Sequence, residues 1–164
     1  MSAIALRPYV PADAARCAEI FQASVEELAA DDYDADQREA WASTSNDEAA
    51  FRGRLEGALT LIAVIDGAPA GFGSLKDGEK LDMLYVHPDF AGRGVAHALI
   101  DALTKLASVR GAKRLTVDAS DVSRPLFEKS GFVAQKRNLV RLGDLWLANT
   151  TMTKALDPAP TTKH

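Results

Sequence analysis

The segment of this chain best suited to chemistry lies at residues 81–96 (LDMLYVHPDFAGRGVA), where a strand runs through a tight turn into a helix. The first amides of a helix have no partner within it, and they stand at the positive end of its dipole. Gly92 and Gly94 allow a bulky anion to approach the backbone, Ala96 adds only a methyl group, and Arg93 adds a positive charge. The same residues also fit a plain helix start after a flexible turn. If they are functional, they suit a pyrophosphate.

Two better-known nucleotide loops fit this segment less well. A Walker loop requires Gly-x-x-x-x-Gly-Lys-Ser/Thr, which the sequence lacks. The dinucleotide fingerprint follows an early parallel strand, with an acidic residue about 20 positions later. Here the strand before the turn ends an antiparallel run of strands, which does not match a doubly wound sheet.

The elements that position this turn follow from the hydrophobic periodicity and from turn signals at Asp66-Gly67 and Asp77-Gly78. The pattern predicts strands at residues 4–7, 59–65, 69–75, 80–86, 113–119, 132–141 and 145–154, and helices at residues 12–29, 34–41, 47–55, 92–109 and 123–130. Asn46 is the predicted cap of the third helix. The strand-helix-strand unit requires residues 80–86 and 113–119 to lie parallel in an otherwise antiparallel sheet. The predicted fold class is therefore α/β with a mixed sheet.

Composition limits the class of protein. The chain has 164 residues, 47% hydrophobic and 26% charged, which predicts a single globular domain at residues 1–156 and a disordered tail at residues 157–164. A net charge of −4 argues against a nucleic-acid partner. No apolar run reaches about 18 residues, so we expect a cytoplasmic protein with no membrane partner. The three histidines show no ligand spacing, so no metal is predicted. The oligomeric state stays open, with a homodimer as the commonest assembly.

Two stretches resemble the GNAT superfamily of N-acetyltransferases. Residues 85–96 resemble its motif A, whose usual form is Gln/Arg-x-x-Gly-x-Gly/Ala, although Ala91 stands where Gln or Arg is usual. Residues 118–120 (DAS) and 124–132 (RPLFEKSGF) resemble motif B. The resemblance covers about residues 3–155. It implies a GNAT-like fold and an enzyme that moves the acetyl group of acetyl-CoA to a primary amine, small or peptidic, by direct transfer in a ternary complex.

The resemblance also implies how the cofactor is held. The backbone of Leu84 and Val86 would bond the pantetheine arm like an added strand, and the Leu84 amide would polarise the thioester carbonyl. The pyrophosphate would lie on the amides of residues 92–96, and Ser120 would reach the cofactor arm from the next strand. The implied cofactor contacts are Leu84, Tyr85, Val86, Ala91, Gly92, Arg93, Gly94, Val95, Ala96, Ser120, Ser123 and Phe127.

Acetylation requires a base that frees the nitrogen lone pair and an acid that protonates the departing thiolate. Asp82 is the preferred base, because it lies two residues before Leu84, on the face that alternation assigns to both. A surface or cross-strand ion pair explains Asp82 equally well, and Glu79 is the second choice of base.

The usual acid is absent, because Phe127 occupies the position where the family usually carries a Tyr. Phe127 is most simply a core residue. The remaining candidates are Tyr85, Ser123 or a water molecule, unless the thiolate leaves without a proton. Alternation places Tyr85 on the face opposite Asp82, unless the strand contains a bulge.

The family builds its acceptor site from the early helices and the last hairpin. Besides Asp82, these elements offer Tyr33, Trp41, Trp146 and Asn149, each of which also fits a structural role. Asp31, Asp32, Asp34 and Asp36 surround Tyr33, and they would either attract a cation or form a solvated loop with helix caps.

Three functions are consistent with these features. The first is an N-acetyltransferase, favoured by the carboxylate on the central strand. The second is a non-catalytic acyl-CoA-binding sensor or scaffold, favoured by Phe127 and Ala91. The third is a nucleotide-binding protein that uses the same anion site. The sequence does not identify the acceptor amine.

Overall fold

The computed structural model describes residues 3–156, and the predicted tail at residues 157–164 lies outside the described residues. Within them, seven strands form one sheet in the order β1-β2-β3-β4-β5-β7-β6. The strands are β1 (Ile4–Pro8), β2 (Leu59–Ile65), β3 (Ala68–Lys76), β4 (Lys80–Val86), β5 (Arg114–Ser120), β6 (Val133–Leu142) and β7 (Leu145–Ala155).

Five α-helices accompany this sheet in the described part of the chain. They are α1 (Ala14–Ala23), α2 (Ala35–Ala42), α3 (Glu48–Glu56), α4 (Val95–Val109) and α5 (Arg124–Lys129). A π-helical turn at Ser24–Leu28 extends α1, so the first predicted helix is regular over only part of its length. The prediction that Asn46 caps α3 is wrong, because the Asp47 carboxylate accepts the Ala50 amide and is the cap. Across residues 3–156, no helix combines the length and the apolar character that crossing a bilayer requires.

The sheet has the predicted mixed topology. Strands β1 to β4 pair antiparallel in chain order, β4 pairs parallel with β5, and β7 lies between β5 and β6. The parallel pair arises because α4 crosses over between β4 and β5, which returns the chain to the starting end of the sheet. The predicted α/β fold is thereby confirmed.

Hydrophobic layers cover both faces of the sheet. On one face, Phe21 of α1 and Phe51 of α3 pack against Phe72 and Met83. On the other face, Leu103 of α4 joins residues of β3, β4 and β5 in a second cluster. Burial of such side chains contributes about 1.5–3 kcal/mol each, so the two layers fix the orientation of the central strands.

Strand β4 contains a β-bulge at Asp82. Ser74 pairs with Met83 and Leu75 pairs with Leu81, so Asp82 is an extra residue without a pairing partner on β3. A bulge bends its strand and increases the local twist. This bend coincides with the point at which β4 separates from β5.

The two parallel strands β4 and β5 pair over only two positions, Lys80 with Thr116 and Leu81 with Val117. Beyond them, β4 follows β3 up to Val86, while β5 follows β7 up to Ser120. The strands therefore diverge as a V, and the edge of β4 after the bulge faces the opening.

The hydrogen-bond pattern shows which groups of β4 face that opening. The His87 amide donates to the Ala70 carbonyl at 2.8 Å, and bonded and non-bonded pairs alternate in an antiparallel ladder. With the observed register, Tyr85 and Met83 therefore bond to β3. It follows that Leu84 and Val86 direct their amides and carbonyls towards the opening.

Two glycine substitutions test this packing with opposite expected signs. A Cβ on Gly71 would lie 2.8 Å from the Tyr85 carbonyl oxygen and 2.9 Å from Val95 Cγ1. We expect Gly71→Ala to destabilise the protein by about 1–3 kcal/mol, because the carbonyl belongs to a paired strand that cannot move freely. The measurement is urea unfolding, with an unchanged dependence of the unfolding free energy on denaturant.

The matched control is Gly53→Ala in the interior of α3, where a Cβ meets nothing within 4 Å. We expect it to stabilise the protein by about 0.5–1 kcal/mol, because alanine favours helix. A Gly71→Ala protein that is at least as stable as the unmodified one would contradict the close approach of β3 and β4.

Candidate active site

A cleft of about 270 Å³ opens where β4 and β5 diverge. Of the residues predicted from the sequence, the cleft is lined by Tyr33, Trp41, Asp82, Leu84, Tyr85, Ser120, Ser123, Phe127 and Asn149. It is also lined by residues to which the sequence analysis gave no site role, among them Phe21, Thr44, Arg54, Met83 and Asp118. The helices between β1 and β2 and the last hairpin thus meet the diverging strands in one place.

The bulge corrects the expected face of Asp82. Leu81 and Leu84 both contact the cluster around Leu103, although strict alternation would place residues three apart on opposite faces. The extra residue therefore turns Asp82 towards the other side of the sheet, where its carboxylate meets Arg54 of α3. Asp82 consequently shares a side with Tyr85 and not with Leu84.

The Asp82 carboxylate accepts two hydrogen bonds from one guanidinium. Arg54 Nε and Nη2 both donate to Asp82 Oδ2, at 3.3 and 3.2 Å. The Asp82 side chain is 17% exposed and the Arg54 side chain 46%, so the pair lies at the wall of the cleft. The predicted ion pair of Asp82 is present, and its position in the cleft leaves the role of base available.

Tyr85 lies within a group of aromatic rings beside Asp82. Its ring centre is 4.7 Å from that of Phe21 and 6.4 Å from that of Trp41. Burial raises the pKa of the Tyr85 hydroxyl to about 12, against the smaller lowering effects of Arg54 and of a hydrogen bond from Trp41. The nearby Asp82 carboxylate raises this pKa further. The hydroxyl therefore stays protonated at neutral pH.

Tyr33 forms part of the cleft wall, but its hydroxyl is already engaged. It donates to the Ala148 carbonyl at 2.7 Å and accepts the Asp121 amide at 2.9 Å. These bonds join β7 to the end of β5, and Arg137 forms a bidentate ion pair with Asp121 behind them. The hydroxyl of Tyr33 thus fixes the far wall, and only the ring is free to contact a ligand.

The β5 side of the cleft carries two hydroxyls and one buried ring. The Oγ atoms of Ser120 and Ser123 are 3.0 Å apart. Phe127 is 1% exposed and packs edge-on against Phe132 at 5.1 Å. The interpretation of Phe127 as a core residue is consistent with this burial, and no hydroxyl stands at its position.

The structure does not bring Trp146 into the cleft. Its side chain is 53% exposed, and the register of the last hairpin pairs it with Arg141, whose guanidinium lies 5.9 Å from the ring centre. Asn149 does line the cleft, and its Oδ1 accepts a hydrogen bond from Asn138 at 3.0 Å. Only one of these two predicted hairpin residues can therefore contact a molecule in the cleft.

The glycine turn lies beyond the open edge of β4. Helix α4 begins at Val95, not at Gly92, and no side chain caps it. The Ala98 amide donates to the Gly94 carbonyl, so the amides of residues 95–97 precede the hydrogen-bond ladder of the helix. Gly92 and Gly94 have φ of +77° and +83°, and a Cβ on either would meet nothing within 4 Å. The turn is thus open to an approaching group.

The acidic stretch around Tyr33 has a structural explanation. Asp34 accepts the Gln37 amide and caps α2, while Asp31, Asp32 and Asp36 are exposed and do not line the cleft. Within residues 3–156, no three His, Cys, Asp or Glu side chains stand close enough together to hold a metal ion.

Comparison with known proteins identifies the family. An acetyltransferase (GNAT) domain matches residues 29–156. The chain is also 36% identical to YafP of Escherichia coli (strain K12), an uncharacterized N-acetyltransferase. The alignment spans 152 residues and covers 93% of this chain and 96% of the relative. This chain belongs to the GNAT family of acetyltransferases.

Solved structures of GNAT proteins have the same fold. A GCN5-related N-acetyltransferase of Rhodopseudomonas palustris, also described as an aminotransferase of class II, is 60% identical and superposes with a TM-score of 0.93, over 95% of this chain and 98% of that one. PaiA N-acetyltransferase of Thermoplasma acidophilum, solved with coenzyme A, is 19% identical with a TM-score of 0.78 and covers 93% and 99% of the two chains. The predicted GNAT-like fold and the predicted acetyltransferase class are confirmed.

The desolvated Tyr85 hydroxyl makes stability depend on pH. Between its ordinary pKa of 10.0 and its value of about 12 in the folded protein, the unfolded chain releases a proton that the native state retains. Native stability is therefore lost as the pH rises through this range, by about 1 kcal/mol at pH 11. We expect Tyr85→Phe to lose correspondingly less stability between about pH 9 and about pH 11 in urea titrations. An identical loss in both proteins would contradict a desolvated hydroxyl.

Proposed function

We propose that this GNAT chain transfers the acetyl group of acetyl-CoA directly to a primary amine, with both substrates bound in one ternary complex. The observation that carries the proposal is the cleft, in which an open, hydrogen-bonding strand edge faces a pocket containing Asp82 and Tyr85. In the reaction, a bond forms between the amine nitrogen and the acetyl carbon while the carbon–sulfur bond breaks. The amine loses one proton, and the departing thiolate takes one up.

The residues present fit acetyl-CoA. Its pantetheine arm carries amide groups, and these match the outward-directed amides and carbonyls of Leu84 and Val86. Its diphosphate matches the uncapped start of α4, where Gly92 and Gly94 leave the amides open. PaiA of Thermoplasma acidophilum, which has the same fold, was solved in complex with coenzyme A, and this supports the fit. In our proposal, the Leu84 amide also polarises the thioester carbonyl.

Asp82 is our proposed base. The bulge places its carboxylate on the acceptor side of the sheet, in the wall of the cleft. Arg54 occupies only one of its two oxygens in the described part of the chain, so Oδ1 is available to receive the proton that the amine nitrogen loses as the amide bond forms. The guanidinium also fixes the orientation of the carboxylate, as positioned proton transfer requires.

Tyr85 is our proposed acid. Its hydroxyl carries a proton at neutral pH, and the bulge brings the Asp82 carboxylate to the same side of the sheet. In a regular strand, alternation would place Tyr85 and Asp82 on opposite faces, and this objection does not apply to a strand with a bulge. Ser123 and a water molecule remain the other candidates, since Phe127 supplies no hydroxyl.

The cofactor part of the proposal is tested at the start of α4. We expect Gly94→Asp to weaken acetyl-CoA binding by about 30-fold or more, because it places a carboxylate where the diphosphate would lie. The matched control is Gly111→Asp at the other end of α4, which has a φ of +90° and the same open space. Isothermal titration calorimetry measures both. Equal affinities in the two variants would refute the anion site.

The catalytic part is tested by replacing the two proton-transfer groups. We expect Asp82→Asn and Tyr85→Phe each to lower kcat by about 100-fold or more with the affinity for acetyl-CoA unchanged, because each removes one proton-transfer group. Release of free thiol from acetyl-CoA in the presence of an amine panel gives the rate. Asp118→Asn is the control, since Asp118 also lines the cleft but pairs with Lys80 on the β5 side.

Two outcomes would overturn this part. An unimpaired Asp82→Asn would remove Asp82 as the base. Binding of acetyl-CoA without turnover of any amine would favour the non-catalytic acyl-CoA-binding module.

A further inference from the structure

The ion pair of Arg54 and Asp82 leaves one donor and one acceptor unused. Arg54 Nε and Nη2 both donate to Asp82 Oδ2, and Nη2 also approaches the Asp82 backbone carbonyl at 3.5 Å. Among the described residues, Asp82 Oδ1 and Arg54 Nη1 have no partner. A negative and a positive group therefore stand side by side in the cleft wall, each with free hydrogen-bonding capacity.

The charge balance of the cleft limits the acceptor. Besides its tyrosines, the ionisable residues that line it are Arg54, Asp82 and Asp118. Asp118 is already satisfied by Lys80 at 3.2 Å and by the Thr151 hydroxyl at 2.7 Å. A polyamine would need a second available carboxylate besides Asp82, and the described residues that line the cleft do not offer one. A molecule with one positive and one negative group matches the remaining pair.

The surroundings of Arg54 favour an anionic group on its side of the pair. Arg54 and Asp82 also line a second groove of about 380 Å³, and Lys76 lies in the wall of that groove. The wall of this groove therefore carries two cationic side chains and one carboxylate. An acceptor with an amine but no anionic group would leave the excess positive charge of this groove unneutralised. It would also disturb the ion pair of Arg54 and Asp82 without supplying replacement hydrogen bonds.

The rest of the acceptor side is apolar. Phe21, Trp41 and Met83 belong to the hydrophobic layer on the side of α1 and α3. Leu142 and Leu147 come from the last hairpin. Such walls suit an aliphatic or aromatic side chain, whose burial contributes roughly 1.5–3 kcal/mol.

From these observations we propose that the acceptor is an α-amino acid with an apolar side chain, which Asp82 binds by its ammonium group and Arg54 by its carboxylate. This inference rests on the proposed acetyltransferase activity and narrows it to one class of amine. Arg54 is then a specificity-determining residue that contacts the substrate. The acetylated product would be an N-acetyl amino acid.

The experiment compares matched triplets of acceptors with the full chain and saturating acetyl-CoA. Leucine, leucinamide and isoamylamine share a side chain, and so do phenylalanine, phenylalaninamide and phenethylamine. We expect kcat/KM for the free amino acid to exceed that of both partners by about 10- to 100-fold, the effect of one hydrogen-bonded charge. Isocaproate, which has the carboxylate but no amine, should inhibit competitively against leucine.

The variant Arg54→Gln should abolish both the preference for the carboxylate and the inhibition by isocaproate. Arg52→Gln is the control, because Arg52 lies on the same helix, is half-exposed and pairs with Glu56 away from the cleft. It should behave as the unmodified protein.

Three results would overturn the inference. Equal turnover of amines with and without a carboxylate would show that Arg54 does not bind the substrate, while leaving the acetyltransferase activity intact. An equal loss for all members of a triplet in Arg54→Gln would show that Arg54 acts only by positioning Asp82. Better turnover of leucyl dipeptides than of leucine would identify a peptide terminus as the acceptor. Absence of turnover with every amine would instead refute the proposed function itself.

Discussion

The candidate site depends on one extra residue in β4. Without the bulge at Asp82, β4 would continue its ladder with alternating faces, and the carboxylate would point into the layer beneath α4. With it, β4 bends away from β5 after two pairs, and both the cleft and the open edge at Leu84 result. The same residue thus opens the sheet and carries the carboxylate into the opening. Fold and chemistry are coupled at this position.

The sequence predicted the elements well, because their signals are local. Periodicity of apolar residues located all seven strands and the helices, and glycine turns marked their ends. The open turn before α4 could also be predicted, since it needs only a helix start and small residues. The faces of Asp82 and Tyr85 could not be assigned, because a bulge is a mismatch between two strands. That mismatch is decided by how both strands pack on α1 and α4, and neither strand reveals it alone.

The side chains of the acceptor pocket were harder to predict for a related reason. Arg52 and Arg54 are both charged residues on the short helix α3, and nothing in their spacing separates them, yet only Arg54 reaches the cleft. Trp146 and Asn149 both belong to the last hairpin, but the register with β6 places only Asn149 in the wall. Which side chain enters a pocket between distant elements depends on tertiary pairing, which periodicity does not encode.

The two halves of the proposed site place different demands on the sequence. On the cofactor side, the groups that would act are the backbone amides of β4 and of the start of α4, so Ala91 is compatible with binding even though Gln or Arg is usual there. On the acceptor side, the groups are side chains held by few contacts, such as the single-oxygen bridge between Arg54 and Asp82. A substitution there changes the charge of the pocket without breaking any strand pairing or opening either hydrophobic layer. In our proposal, the fold can therefore keep one cofactor while residues such as Arg54 set the choice of amine.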